Sequence, residues 1–592
     1  MQRSEADNKY KWNLTDIYKT EAEFYKDLEF LEKNCEKFTL FKGKLNNFDE
    51  IFDFFSFNNK FNEMFMKAYS YVFLHHDIEL NNKLYIELLE RINMLIANVS
   101  MTTAFVDPEL LTLSDEFLNS LLADKKFNNY EYQIKNIINN RKFILSEKEE
   151  IALSTASKYA NGFNELYEAL TQSDFKFEPV EVDDKKEELT QSSYSKFIEN
   201  KNRDVRQHAY KNLYSVFCQF SKTLSYNYIN FVKFVSSEID IRKAKSVFNY
   251  RFNNEKIPEK ILDVLNYNVE KNISLEHKYF ELLKESLNLQ NMQFYDVYQT
   301  LAPEFNKKWS VEEQKDIVSR ALKPLSNEYI DILHTAFNNN WIDYYPDKDK
   351  KSGGYMAGVY GVHPFVFLDD TGSYDSLSTL AHELGHAAHT YYANSNQPYS
   401  KHDYSTFIAE IASTVNEIIL VKYMIKNSET DEEKLFYLSH YLQGFKSTIF
   451  RQAMFSEFEN FAYTKVENNK ILSEDILNNE YKHLLEKHFG NIVNIDDYII
   501  HEWQRIPHFY YPYYVFQYAT SYIAAVYIAN SIINGNKEVL NNYIKILSKG
   551  GDGYPIEILK EFDIDMLDNS VYDLAFNDMK QCLFQVEKIL KK

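Results

Sequence analysis

The residues of this 592-residue chain with the clearest capacity for chemistry are His382, Glu383 and His386, in the segment DSLSTLAHELGHAAHTYY. Leu377, Leu380, Ala381, Leu384 and Ala388 give that segment an apolar face at helical spacing, and Asp375 or Ser376 can cap its start. On a helix, residues four apart lie one above the other, so His382 and His386 present both imidazoles to one point. Two nitrogens so placed suit one Zn2+, each at about 2.0–2.1 Å. Glu383 lies about 100° further round the axis, clear of the ligand pair. Its carboxylate can take a proton from a metal-held water and so drive attack on a peptide carbonyl near neutral pH. Two surface histidines on a helix would give the same five residues, so the motif needs a third ligand to become a site.

A catalytic zinc takes three protein ligands and keeps one position open. In YSTFIAEIASTVNEIIL, residues 404–420, Phe407, Ile411, Val415 and Ile418 recur at helical spacing. The polar, proline-containing connection ANSNQPYSKHD before it permits an antiparallel return. Glu410 sits among Ala409, Ile411 and Ala412, where a buried carboxylate is costly unless paired or metal-bound. It is the expected third ligand, an exposed helical glutamate being the plainer alternative. Glu417, two turns on, could orient a ligand from behind or simply face solvent. His389 as a fourth ligand would close the open position, so a packing or hydrogen-bonding role fits it better.

The elements that must position these groups read as helices. Gly (14) and Pro (11) are scarce, which points to long helices with few breaks. EAEFYKDLEFLEKN and NKLYIELLERINMLIANV place apolar residues three and four apart, and a helix start is expected at Leu145-Ser146-Glu147. DFKFEPVEV, 174–182, alternates around Pro179 and reads as a short strand pair or connector. Helical texture resumes from Tyr194 through Ile241, in one or two helices. GGYMAGVYGVHPFVFLDD, 353–370, is the most strand-like stretch, a small β element beside the motif helix. A boundary near 195 separates a helical N-terminal region, 1–195, from a catalytic region, 196–592.

Composition narrows the function. With 87 acidic against 66 basic residues the net charge is -21, a field that repels phosphate backbones and argues against nucleic acid. The 46 tyrosines and 45 phenylalanines read mainly as core and groove lining. Cys35, Cys218 and Cys582 are too scattered for a disulfide framework and read as free thiols. No signal peptide or membrane span is evident, so a cytoplasmic protein without membrane partners is expected.

The motifs together resemble the thimet-type oligopeptidases, in the bacterial oligoendopeptidase F branch. HELGHAAH followed by FIAEIASTVNE carries the likeness, with WNLTDIY, GGYMAGVYGVHPFVFLDD, WQRIPHFYYPYYVFQYATS and GGDGYPIEILKEFDIDM along nearly the whole chain. The resemblance implies a mainly α, two-lobed peptidase with a deep central channel, one zinc at its floor, and short unstructured oligopeptides as substrates. It matches His382, His386 and Glu410 to the zinc ligands and Glu383 to the general base. It also implies substrate-facing His and Tyr side chains on a later helix, matched here by His508, Tyr511 and Tyr514 as donors to the oxyanion. Phe516 stands where the branch often has Tyr, and several tyrosine registers fit. Two other readings remain beside the endopeptidase: a catalytically silent peptide-binding scaffold, and an exopeptidase using the same chemistry. Cobalt or manganese would also suit the ligand set, and the oligomeric state is open. The glycine-rich strand could bind an extended peptide along its edge. The loop GGDGYP, 550–555, could move over the substrate, an ordinary turn being the simpler expectation.

Overall fold

A computed structural model describes residues 2–157, 161–302 and 305–592. Its frame is helical. Its helices include α1 (Phe48–Ile78), α2 (Lys83–Thr103), α3 (Arg203–Gln219), α4 (Ser221–Arg242), α5 (Tyr374–Asn396), α6 (Thr406–Lys426), α7 (Arg451–Glu467), α8 (Phe516–Ile533) and α9 (Lys537–Lys549). Their starts follow capping chemistry. The Asn47 side chain accepts the Glu50 amide at the head of α1, and Asn202 accepts that of Asp204 at α3. The expected start after Leu145 is also present, as a helix over Glu147–Ser157.

The chain forms two compact units, each assembled from three separated segments. The first comprises Met1–Lys142, Asn306–Tyr423 and Ala525–Ile564. Its core gathers apolar side chains from the N-terminal helices, among them Phe24, Leu28, Phe38, Phe54, Phe61 and Ile92, with Phe365 and Phe367 from beyond residue 306. Burying each such side chain contributes about 1.5–3 kcal/mol. A three-stranded sheet runs in the order β4 (Ile342–Asp343), β6 (Phe365–Phe367), β5 (Tyr355–Ala357). β4 and β6 are parallel, β6 and β5 antiparallel, so β5 lies at an edge. Trp12 packs against Phe365 and Phe367 and ties the N-terminal segment to the sheet. Beneath it the fully buried Lys350 ammonium pairs with Asp343 at 2.9 Å and donates to the Tyr345 carbonyl at 2.8 Å. Asp343 also receives Arg3 at 2.8 Å, so each buried charge is matched.

The second unit comprises Phe143–Phe305, Met424–Ala524 and Asp565–Lys592. The alternating stretch after Phe175 becomes a hairpin, β1 (Val180–Val182) with β2 (Lys185–Glu187), antiparallel. Asp183 and Asp184 both take positive φ, 50° and 61°, and form its two-residue turn. The charge-rich DDKKEE thus supplies the turn, Asp183 and Asp184, and the strand Lys185–Glu187. The helical run from Tyr194 contains α3 and α4 after a short first helix, Tyr194–Ile198. Two buried carboxylates organise this unit. Asp296 accepts from Arg203 and Arg206; burial opposes its charge, but the two guanidiniums outweigh burial and hold it below the ordinary carboxylate range. Glu502 accepts from Tyr481 at 2.7 Å and Arg451 at 2.5 Å.

Candidate metal centre

The head of α5 is capped by Ser373, whose hydroxyl accepts the Ser376 amide at 3.2 Å. The cap is therefore two or three residues earlier than Asp375 or Ser376. α5 then carries His382 and His386 one turn apart, their Nε2 atoms 3.2 Å from each other. α6 returns after the Pro-containing connection and brings Glu410 to them. Its Oε2 lies 3.7 Å from both Nε2 atoms. Among the described residues, these three are the group of His, Cys, Asp or Glu side chains whose ligand atoms come within 4.8 Å of one another.

That triangle fits a metal. Ligands about 2.1 Å from a tetrahedral zinc lie about 3.4 Å apart, close to the three separations found here. The donor set, two neutral nitrogens and one carboxylate, is also that of a catalytic zinc with an open position. The Glu410 side chain is 36% exposed, so the burial argued from its apolar neighbours does not hold. The carboxylate leans out from the apolar face toward the imidazoles, and Ser413 donates to the same Oε2 at 3.3 Å.

Glu417, two turns further along α6, accepts from His382 Nδ1 at 3.0 Å. That bond fixes the imidazole tautomer with its Nε2 lone pair toward Glu410. With no metal bound, burial opposes a charge on His382, but the hydrogen bond and charge of Glu417 prevail and raise it to about 9, so a metal at Nε2 would displace a proton. Burial and the adjacent His382 lower His386 to about 3. Glu383 is buried beside the pair, and its Oε2 has no hydrogen-bond partner among the described residues. Burial pushes its carboxyl up to about 7; His382 pulls it down, while Glu410 and Glu417 add to the rise. His389 is fully buried and stacks on Tyr404, with ring centroids 3.6 Å apart and planes 12° apart. Its role is packing.

Two residues that build this geometry escaped the reading of the sequence. A Cβ on Gly385 would come within 2.6 Å of the Ala412 carbonyl oxygen and the Ser413 Cα. Only glycine lets α5 and α6 approach this closely, and a glycine inside an otherwise good helix was the available signal. Asn416 is fully buried and donates to the Ala381 carbonyl at 2.9 Å, while Tyr329 donates to its side-chain oxygen at 2.9 Å. It clamps the two helices directly behind His382. Edge strand β5 runs past the same face. A Cβ on Gly354 would lie 2.8 Å from Thr379 Cγ2 and 3.6 Å from Glu383 Oε1. The GGDGYP loop is pinned: Gly551 donates its amide to the Lys401 carbonyl at 2.8 Å, and Lys401 pairs with Asp552 at 2.7 Å.

His508, Tyr511 and Tyr514 belong to the second unit. The His508 and Tyr514 rings lie nearly parallel, 12° apart with centroids at 6.1 Å. Tyr518 stands edge-on to both, at 6.3 and 5.3 Å, a member of the cluster not singled out from the sequence. Tyr511 is 50% exposed and outside the stack. Phe516 is fully buried against Phe248 and Phe252, a core position where a phenol would need a partner.

Comparison with known proteins decides the family. The model of peptidase family M3 matches residues 196–578. The chain belongs to peptidase family M3. A second model, described as oligopeptidase F, matches residues 109–177. The chain is 33% identical to Oligopeptidase PepF of Bacillus subtilis, over all of this chain and 88% of that protein. It is 31% identical to an oligoendopeptidase F homolog of Borreliella burgdorferi over the full length of both. The crystal structure of oligoendopeptidase-F from Enterococcus faecium superposes with a TM-score of 0.74 at 30% identity, covering 96% of this chain and 99% of that one. A crystal structure from Chlamydophila abortus reaches a TM-score of 0.94 at 29% identity, covering 99% of both. The family makes this M3 chain a metallopeptidase with a mainly α fold, and the His–His–Glu cluster is its candidate metal site. Among the described residues no helix is long and apolar enough to cross a membrane.

Proposed function

We propose that this chain is a zinc-dependent endopeptidase that cuts internal bonds of short unstructured peptides. The observation that carries the reading is the convergence of His382, His386 and Glu410 on one point with Glu383 buried alongside. His382, His386 and Glu410 would hold Zn2+, which when bound supplies a Lewis acid that acidifies water and polarises a carbonyl. Glu383 is the general base: its unpartnered oxygen takes the proton of the attacking water and later delivers it to the leaving amine. Glu417 holds His382 in its ligating tautomer. The free edge of β5 offers main-chain groups to an extended substrate, which favours sequence-tolerant binding beside Glu383. His508, Tyr511 and Tyr514 keep the role the resemblance gives them, donors to the oxyanion developing on the substrate carbonyl. Residues 196–592 are taken as the catalytic region. Short peptides as substrates follow the names of the relatives, oligopeptidase and oligoendopeptidase.

The test is a length series of internally quenched peptides blocked at both ends. Internal cleavage of the short members, lost with chelator and with Glu383→Gln and restored by Zn2+, supports the proposal. Cleavage only of peptides with a free terminus would make the chain an exopeptidase. Binding without turnover, in a protein carrying one metal per chain, would leave a peptide-binding scaffold.

A further inference from the structure

The segment that carries His508 and Tyr514 contains a residue in an unfavourable backbone conformation. Tyr513 has φ +54°, in the left-handed region that a bulky side chain seldom enters. The Tyr514 amide donates to the Tyr511 carbonyl at 3.2 Å, closing a turn with Pro512 second and Tyr513 third. Proline second and a left-handed residue third is the pattern of a type II turn, whose third residue is ordinarily glycine. A tyrosine there is strained by its Cβ, so something must hold it.

Three contacts do so. Glu459 on α7 accepts the Tyr513 amide at 2.8 Å, in a buried bond. The Tyr513 hydroxyl donates to Asn460 at 3.1 Å, and its ring stacks on Tyr463 with centroids 5.2 Å apart. With Tyr513 anchored to α7, the next residue turns the other way, and Tyr514 lies parallel to His508.

We propose that Glu459 is a positioning residue for the peptidase reaction: by accepting the Tyr513 amide it sets the left-handed turn that aligns Tyr514 with His508. The proposal rests on the reading of His508 and Tyr514 given above. Glu459 is 1% exposed, and its second oxygen has no hydrogen-bond partner among the described residues. Arg251 and the phenols of Tyr228, Tyr463 and Tyr513 face it. Burial pushes its carboxyl up to about 8, against the pull of the Tyr513 amide and Arg251. Near neutral pH it therefore acts as a neutral acceptor, a part that glutamine can also play.

The experiment is a double-mutant cycle on the full-length, zinc-loaded protein, with kcat and KM for a quenched peptide normalised to bound zinc. Glu459→Leu is expected to lower kcat about tenfold or more while KM changes little, and Glu459→Gln to restore most of it. In a Tyr514→Phe background Glu459→Leu should cost little further kcat, because both changes disable one device. A purely structural Glu459 would instead multiply its effect in both backgrounds, and that result overturns the proposal. Should Glu459→Leu not fold, Glu459→Asp, one methylene too short for the amide, carries the same cycle. Wild-type kcat in both His508→Ala and Tyr514→Phe would remove the underlying reading and the proposal with it. Slow single variants with a multiplicative cycle would remove the proposal alone.

Discussion

The pair α5–α6 and the turn at Pro512–Tyr514 solve the same problem, holding polar side chains in a fixed arrangement, by different means. In the helix pair the arrangement is periodic. His382 and His386 are one turn apart, and Glu410 and Glu417 stand two turns apart on one face, so residue spacing translates into distance. In the turn nothing repeats. The alignment of His508 with Tyr514 depends on one left-handed residue and on a carboxyl group 54 positions earlier in the chain. A site built on regular helices is readable from its own few residues. A site built on a turn is held by partners that local sequence does not announce.

The comparison sharpens under mutation. The largest effect is expected at Glu383→Gln, which keeps the ligand triangle but removes the base. We expect kcat to fall by about 10²–10⁴ with zinc content unchanged, measured by quenched-peptide kinetics and metal analysis. Loss of zinc together with activity would mean that Glu383 serves the ligands rather than the reaction. Next comes Gly385→Ala, which forces α5 from α6 where a Cβ would sit 2.6 Å from backbone atoms. The cost is about 1–3 kcal/mol of stability, read as a lower Tm. Zinc affinity should weaken as well, because Glu410 sits on the displaced helix. An unchanged affinity would show that the helices can separate without opening the triangle.

Glu417→Ala removes the acceptor behind His382. Zinc affinity is expected to fall about 10–100-fold in competition with a chelator, while the fold is kept. The mildest effect belongs to the turn. Glu459 has a folded-state pKa of about 8, above its ordinary value of 4.5, so the protonated carboxyl favours the folded state. Its contribution is full at low pH and is lost as pH rises through about 8. Tm of the parent should therefore drop by about a few degrees between pH 6 and 9, and Glu459→Gln should flatten that drop. Parallel profiles for the two proteins would show that another group governs alkaline stability.

Much of the site is legible in the sequence. The five-residue motif, the second helix and its glutamate are local patterns, and helices express local patterns faithfully because i, i+4 neighbours are fixed by backbone geometry. For Glu417 and His389 the sequence allows two roles each. The hydrogen bond to His382 Nδ1 decides the first, and the stack on Tyr404 the second. The apolar neighbours of Glu410 suggest burial, but its side chain is partly exposed. The family resemblance points to the same residue, and the structure places its Oε2 3.7 Å from both imidazole nitrogens. Likewise the strand-like stretch after Gly353 does form β5 and β6, but that β5 lies at an edge follows only from the order β4-β6-β5.

The sequence by itself determined the helical frame and the His382–Glu383–His386 motif, because those properties depend on residues within a turn or two of one another. Tertiary structure alone decided that Gly385 and Asn416 bring α5 against α6, that the GGDGYP loop is pinned to Lys401, and that Glu459 holds Tyr513. Each of these is a contact between segments far apart in the chain, where close packing and the need to pair every buried polar group select partners that no local pattern encodes.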